Sequence, residues 1–358
     1  LFINRQPKIR LRVLVVALVF SAATDAAACQ FCIAFPQRTE ADQLLASDCV
    51  ILARPDPVDP FRFAATETLK GSYDGSKIHL LVDSATRSYL KLHPDRSAML
   101  VRDEATGAWK SLGTIGQEYE TLVRRLIVVA QGWHGPEASM NRWQYFLTYF
   151  EHHDQRIREL AYLELARAPY DVIRKLGQSV SRATYEPLLA ERRYYEWRGL
   201  AILLLAQSDS ASDRRHILES FRAAECHGLV MHLDAWATAA IEVDPEGTIR
   251  SIEENYLRTT QRTDEELQAV VRALSMQGSL QDAALRERIV LSYQVLLQNF
   301  PQFAPQVAKD LASWKRTELA DELSEITSLR GELQIADMHL IRDYVAVATR
   351  RKLENAHE

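Results

Sequence analysis

The stretch 154–166, DQRIRELAYLELA, constrains this chain more than any other. Ile157, Leu160, Ala161, Leu163 and Leu165 fall broadly on one face of an α-helix. A related pattern returns at Trp197, Arg198, Ala201, Leu204, Leu205 and Ala206, which sets Arg158 and Arg198 40 positions apart. A helix that recurs at such an interval points to stacked helical units, each burying its apolar face against its neighbours. On this reading Leu165 faces the core between helices and Glu164 lies on the other face.

The interval falls within the roughly 40–47 residues of two-helix HEAT and armadillo units, so a HEAT-like α-solenoid is expected over 137–332. Trp143, Phe146, Leu147 and Phe150 line one side of a helix that pairs with 154–166 across the tight turn Glu151-His152-His153. Further helices are expected near 229–241, 265–274, 285–298 and 305–326. A capping helix over 333–358 places Arg350, Arg351 and Lys352 at its end, against the helix dipole. Before the repeats, Tyr119, Leu122, Val123, Leu126 and Ile127 are spaced for one helical face. Gly132-Trp-His-Gly-Pro136 ends that helix, and 117–136 reads as a connecting helix and linker.

The first part of the chain has a different rhythm. A short helix is expected before residue 46, with Thr39 and Asp42 near its start. Short apolar or alternating runs follow at 49–53, 61–69, 77–82, 97–101 and 108–112, split by turns such as Arg54-Pro-Asp-Pro-Val-Asp-Pro60. These runs predict a small barrel or sandwich over 29–116. At 358 residues, 47% of them apolar, the chain can bury two cores. The expected class is therefore α+β multidomain.

Residues 1–28 read as a signal peptide. Arg5, Lys8, Arg10 and Arg12 precede the apolar run 13–23, and Ala26-Ala27-Ala28 stands just before Cys29. Export to a periplasmic, cell-surface or secreted location is expected. The membrane enters only through this signal or through lipidation at Cys29. Without residues 1–28 the chain holds 39 basic against 47 acidic side chains, which makes nucleic acid a poor partner.

Cys29, Cys32 and Cys49 lie close together, with Cys226 far downstream. In an exported chain they suggest a structural disulfide. A thiol-redox role for Cys29 and Cys32 would want a strand before the pair and a helix after it, and only the signal precedes it.

The cysteine-rich start, the run SDCVILAR at 47–54 and the strand ending ETLKG at 67–71 resemble the netrin/tissue-inhibitor type of OB-like module. The layout also resembles bacterial exported proteins of unknown function that start Cys-Pro-Phe-Cys and continue into helical repeats. This chain has Gln30 in place of that proline and lacks the Cys-x-Cys start of the animal inhibitors, so protease inhibition is not carried across. The resemblance implies an OB-like β-barrel followed by a HEAT-like α-solenoid and supplies no catalytic residue.

No serine nucleophile elbow, P-loop or dinucleotide fingerprint is present. His152 and His153 are adjacent with no third ligand visible in the sequence. His227 and His232 are five apart, without the spacing of a zinc-protease helix. No metal or other cofactor is expected. Arg192, Arg193 and Arg198, with Tyr194, Tyr195 and Trp197, form the densest basic and aromatic cluster. Its exposed part suits an acidic or aromatic ligand. Arg192, Arg193, Tyr194 and Tyr195 are therefore the binding candidates of a scaffold that holds a protein or a cell-envelope component. The competing expectation is a thiol-redox or metal-dependent enzyme on Cys29/Cys32 or His152/His153.

Overall fold

The computed structural model describes residues 38–134, 138–328 and 334–355, and the expected signal peptide, Cys29 and Cys32 lie outside them. The fold is α+β. It opens with α1 (Glu40–Ala46), held by a capping box in which the Thr39 hydroxyl accepts from the Asp42 amide and the Asp42 carboxylate accepts from the Thr39 amide. Strands β1 (Cys49–Pro55), β2 (Phe63–Lys70), β3 (Ser97–Arg102) and β4 (Trp109–Ile115) form one antiparallel sheet in the order β2-β1-β3-β4.

The unbroken apolar run of β1 follows from burial on both faces. Val50 and Leu52 join Met99 and Val101 on one side, and Cys49, Ile51 and Ala53 join Ala98 and Leu100 on the other. The second face is closed by α2 (Ser84–Leu92) through Leu90, with Ile78 and Val82 from the segment before it.

The barrel expected for 29–116 is, among the described residues, an open sheet with β2 and β4 at its edges. The strand expected at 77–82 makes a single bridge, Arg62 to Leu81. Ile78 and Val82 drop into the core while Leu81 faces water, so the segment packs on the sheet without extending it. Edge strand β4 carries a bulge at Gly113, whose φ of 96° suits glycine. The Arg156 guanidinium donates to the carbonyls of Leu112 (2.6 Å) and Thr114 (2.7 Å) on either side of it.

The helix read as a connector, α3 (Gln117–Ala130), is a core layer of this first module. Tyr119, Leu122, Val123 and Leu126 pack with α1 and the sheet. Next come α4 (Ala138–Leu147) and α5 (Gln155–Ala166), joined over 148–154, a longer connection than the expected 151–153 that leaves Phe150 beyond the end of α4. Helix α5 is buried nearly all round, so its apolar residues serve two cores instead of one face. Ile157, Leu160 and Ala161 complete the core beneath the sheet. Tyr162, Leu165 and Ala166 open the core of the helical half.

Glu164 is also buried on this helix, at 2% exposure, and is not on the solvent side that its spacing suggested. Its partner explains why. Arg142 of α4 donates to Glu164 Oε2 (2.9 Å) and to Asp42 Oδ1 (2.6 Å), while Arg167 donates to Asp42 Oδ2 (2.7 Å). Burial works to raise the Asp42 pKa, but Arg142, Arg167 and the Thr39 amide outweigh it and lower it to about 2. For Glu164 burial dominates over the attraction of Arg142, and its pKa is raised.

The helical half continues through α6 (Tyr170–Gly177), α7 (Arg182–Ala190), a 3₁₀ turn (Arg192–Trp197) and α8 (Arg198–Leu205). The 40-residue interval thus holds α5, α6 and α7 instead of one two-helix hairpin. Then come α9 (Ala211–His227), α10 (Leu233–Val243), α11 (Pro245–Ile252) running into a π turn (Glu253–Leu257), α12 (Asp264–Gly278) and α13 (Ala283–Asn299). Alternate helices touch: α6 with α8, α8 with α10, α10 with α12, and α11 with α13. The alanines of α10 let its neighbours approach closely, and it is the hub of this part.

The single helix expected over 305–326 is two, α14 (Ala304–Ser313) and α15 (Ala320–Ser328). The positive φ of Lys315 and Leu319 breaks the path between them. The expected closing helix is α16 (Ile335–Asn355), whose Ile341, Tyr344 and Ala348 join the helical core. No helix among the described residues is long and apolar enough to cross a membrane.

Candidate functional site

Between α7 and α8 the chain cannot run on as one helix. Glu191 is extended, and Tyr194, at φ −100° and ψ 19°, is non-helical within the 3₁₀ turn. This kink divides the basic and aromatic cluster into two sides. Tyr194 and Trp197 turn inward and meet Tyr162 of α5, with ring centroids 6.3 and 5.8 Å away. Arg192, Arg193, Tyr195 and Glu196 are exposed. Of the four binding candidates, three therefore reach the surface and Tyr194 is half-buried. Arg193 is engaged, with Nε 2.6 Å from the Glu191 carboxylate and its guanidinium 4.8 Å from the Tyr194 ring centre. Helix α8 is buried all round from Gly199 to Leu205, so Leu200, Leu203 and Leu204 lie in the core without marking one face.

Tyr195 rests on a residue whose importance the spacing of histidines did not reveal. Its ring centre is 4.9 Å from that of His232, and the Arg198 guanidinium lies 6.0 Å from the Tyr195 ring centre. His232 caps the start of α10 with a left-handed backbone, φ 54°, and is 3% exposed. Neither of its ring nitrogens has a hydrogen bond of normal geometry, and the buried Arg198 Nε also has none. Burial pushes the His232 pKa down. Asp234 and the Tyr195 backbone oppose this, and Arg198 reinforces it. Asp234 is itself held by Arg272, 3.2 Å away. The turn that carries His232 also exposes Leu229 and Met231. Chemically, the spot offers a buried imidazole and an Arg N–H beneath an exposed aromatic ring. Such a set can bind an acceptor group and apolar surface together.

The second cluster joins the two halves of the chain. Glu118, in the first turn of α3, meets the turn before α5, where its carboxylate lies 2.8 Å from His153 Nε2. The His152 and His153 rings are stacked, with centroids 4.6 Å apart. One donor atom from each of Glu118, His152 and His153 lies within 4.8 Å of the others. The third donor that the sequence did not reveal is thus 34 positions before His152, and only packing of α3 against α5 brings it there.

Of the three clustered cysteines only Cys49 lies among the described residues. It has no disulfide partner among the described residues and lies inside the sheet core, where burial raises its pKa and makes it a poor nucleophile. Cys226 is exposed on α9 and likewise has no disulfide partner among them.

No protein-family model, curated protein or solved structure matches this chain.

Proposed function

We propose that this chain is an exported binding or scaffold protein that presents the surface around Tyr195 to a protein or cell-envelope partner. One observation carries the reading. An exposed turn bearing Arg192, Arg193 and Tyr195 overlies His232, a buried side chain whose ring nitrogens make no hydrogen bond of normal geometry within the described residues. Leaving a buried polar group unpaired costs about 1–3 kcal/mol, so such groups are rare and call for a reason. An acceptor from a partner, such as a carboxylate, supplies what is missing once Tyr195 swings aside. Arg192 adds an exposed cation, and Tyr195, Leu229 and Met231 add apolar contact. Arg and Tyr are the side chains that most often dominate binding energy. The net charge of −5 keeps nucleic acid an unfavoured partner.

The architecture behind this surface is proposed to be a HEAT-like α-solenoid, a reading supported by the contacts between alternate helices. An OB-like module before it is supported by four antiparallel strands around a β1 that is buried on both faces. Export rests on the signal pattern in residues 1–28. A metal-dependent role for His152 and His153 gains support from Glu118.

The test is a photo-crosslinking amino acid at position 195, with position 104 on the β3–β4 turn as control, in the exported fraction of the source cell. A discrete crosslinked species from 195 that weakens in high salt is expected. Crosslinking from 104 and not from 195 would move the binding surface to the sheet module.

A further inference from the structure

We propose that Glu118, His152 and His153 form a binding site for a divalent transition-metal ion, zinc above all, at the joint between the two halves of the chain. The donor set is one carboxylate and two imidazoles, which suits zinc and its neighbours in the first transition row. Calcium and magnesium prefer sites built from oxygen alone. With bonds of about 2.0–2.2 Å, tetrahedral zinc sets its donors roughly 3.3–3.5 Å apart. The donor atoms here already lie within 4.8 Å of one another, and the closest pair, Glu118 and His153, is at 2.8 Å. The ion replaces the proton that this pair now shares. Glu118 and His153 are mostly exposed, so their side chains can make the small adjustment and the ion has an open approach.

The backbone beneath the donors is fixed more firmly than an ordinary surface turn. Arg158 Nη1 donates to the carbonyls of both His152 (2.6 Å) and His153 (2.9 Å). Asp154 caps α5 by accepting from the Ile157 amide. Glu118 stands beside Tyr119, a core residue of α3. One contact competes with the metal. His152 Nδ1 accepts from the Asp154 amide (3.1 Å), and a neutral imidazole has one lone pair. Binding therefore displaces that amide or turns the ring over, which limits the affinity. Three protein donors leave a fourth position to water, the arrangement of an open zinc site. Because the donors come from α3 and from the turn before α5, the bound ion ties these elements together.

Zinc chloride is titrated into the purified chain by calorimetry and followed by thermal melting, with magnesium chloride as the comparison. One zinc per chain is expected, with a raised melting temperature, and magnesium gives neither effect. Glu118→Gln and His153→Ala should each weaken zinc binding by about 10-fold or more, since even removal of a ligand's supporting group costs that much. Both variants should melt like the parent in the presence of a chelator. His227→Ala, an exposed histidine on α9, should change nothing. Absence of saturable zinc binding overturns the site. So does zinc binding that survives Glu118→Gln and His153→Ala, including binding lost only when the thiols are blocked, which assigns the ion to cysteine.

Discussion

The joint around Arg142 and the patch around His232 both bury polar side chains against α-helices, and they treat them in opposite ways. At the joint, Arg142 binds both Glu164 and Asp42, Arg167 shares Asp42, and Arg156 binds Glu40. At the patch, the ring nitrogens of His232 and the Arg198 Nε are buried without a hydrogen bond of normal geometry. The first arrangement ties residues 100 and 125 positions apart into one fold. The second contributes no such tie. The joint is closed by ion pairs, although Glu164 Oε1 is left without a hydrogen bond of normal geometry, while His232 at the patch is held by none, and that difference is why the patch is the proposed binding surface.

The largest expected effect tests the structural side. Leu165→Asp puts an unpaired charge into the core that α5 shares with the helical half. It should cost on the order of 5 kcal/mol, enough to unfold a marginal domain. Chemical denaturation measures it, and a cost below about 1 kcal/mol would mean that residue 165 is not packed as described. Arg142→Ala comes next. It strands Glu164 and leaves Asp42 with Arg167 and the Thr39 amide, and breaking a buried pair costs about 3–5 kcal/mol. The low end is expected here, because Arg142 and Asp42 keep 23% and 21% of their side chains in water.

Acid titration separates the two regions further. The Asp42 pKa is about 2 in the fold against an ordinary 3.8, so its stabilising contribution is present above about pH 4 and is lost as pH falls toward 2. The difference amounts to about 2 kcal/mol. Glu164 runs the other way, since its raised pKa makes the fold bind a proton more readily as pH falls. Asp42→Asn should therefore be less stable than the parent at pH 6 and close to it at pH 2. Equal stability at pH 6 would show that the Asp42 pairs are incidental.

Much of the framework was legible in the sequence because it rests on local periodicity. The α5 pattern, the doubly buried β1 run, the Thr39–Asp42 start of α1 and the closing helix α16 all have structural counterparts. Helix α2 was not legible, since Leu90 is its one buried residue. The role of Glu164 was missed for a different reason. Spacing tells which residues share a helical face, but not that Arg142 covers the other face. Glu118 and His232 belong to the same class. One gains its place by the docking of α3 on α5, the other by the meeting of two turns that are distant in sequence. Residue type and a place just before an apolar helix single out Arg192, Arg193, Tyr194 and Tyr195, but neither says that Tyr194 turns inward while its neighbours face water.

The smallest stability effect belongs to the patch, and it carries the most direct test of the contrast. The double variant Arg192→Ala, Arg193→Ala removes two exposed side chains, of which Arg193 makes a surface ion pair with Glu191 and lies over the Tyr194 ring. Its stability should stay within about 0.5 kcal/mol of the parent. Melting and affinity capture of partners from the exported fraction are measured together on parent and double variant. An unchanged melting temperature with capture clearly reduced, and a parent capture that weakens as salt is raised, is the result expected of a binding surface. Undiminished capture by the folded double variant, or a melting temperature that drops as far as that of Arg142→Ala, would contradict it.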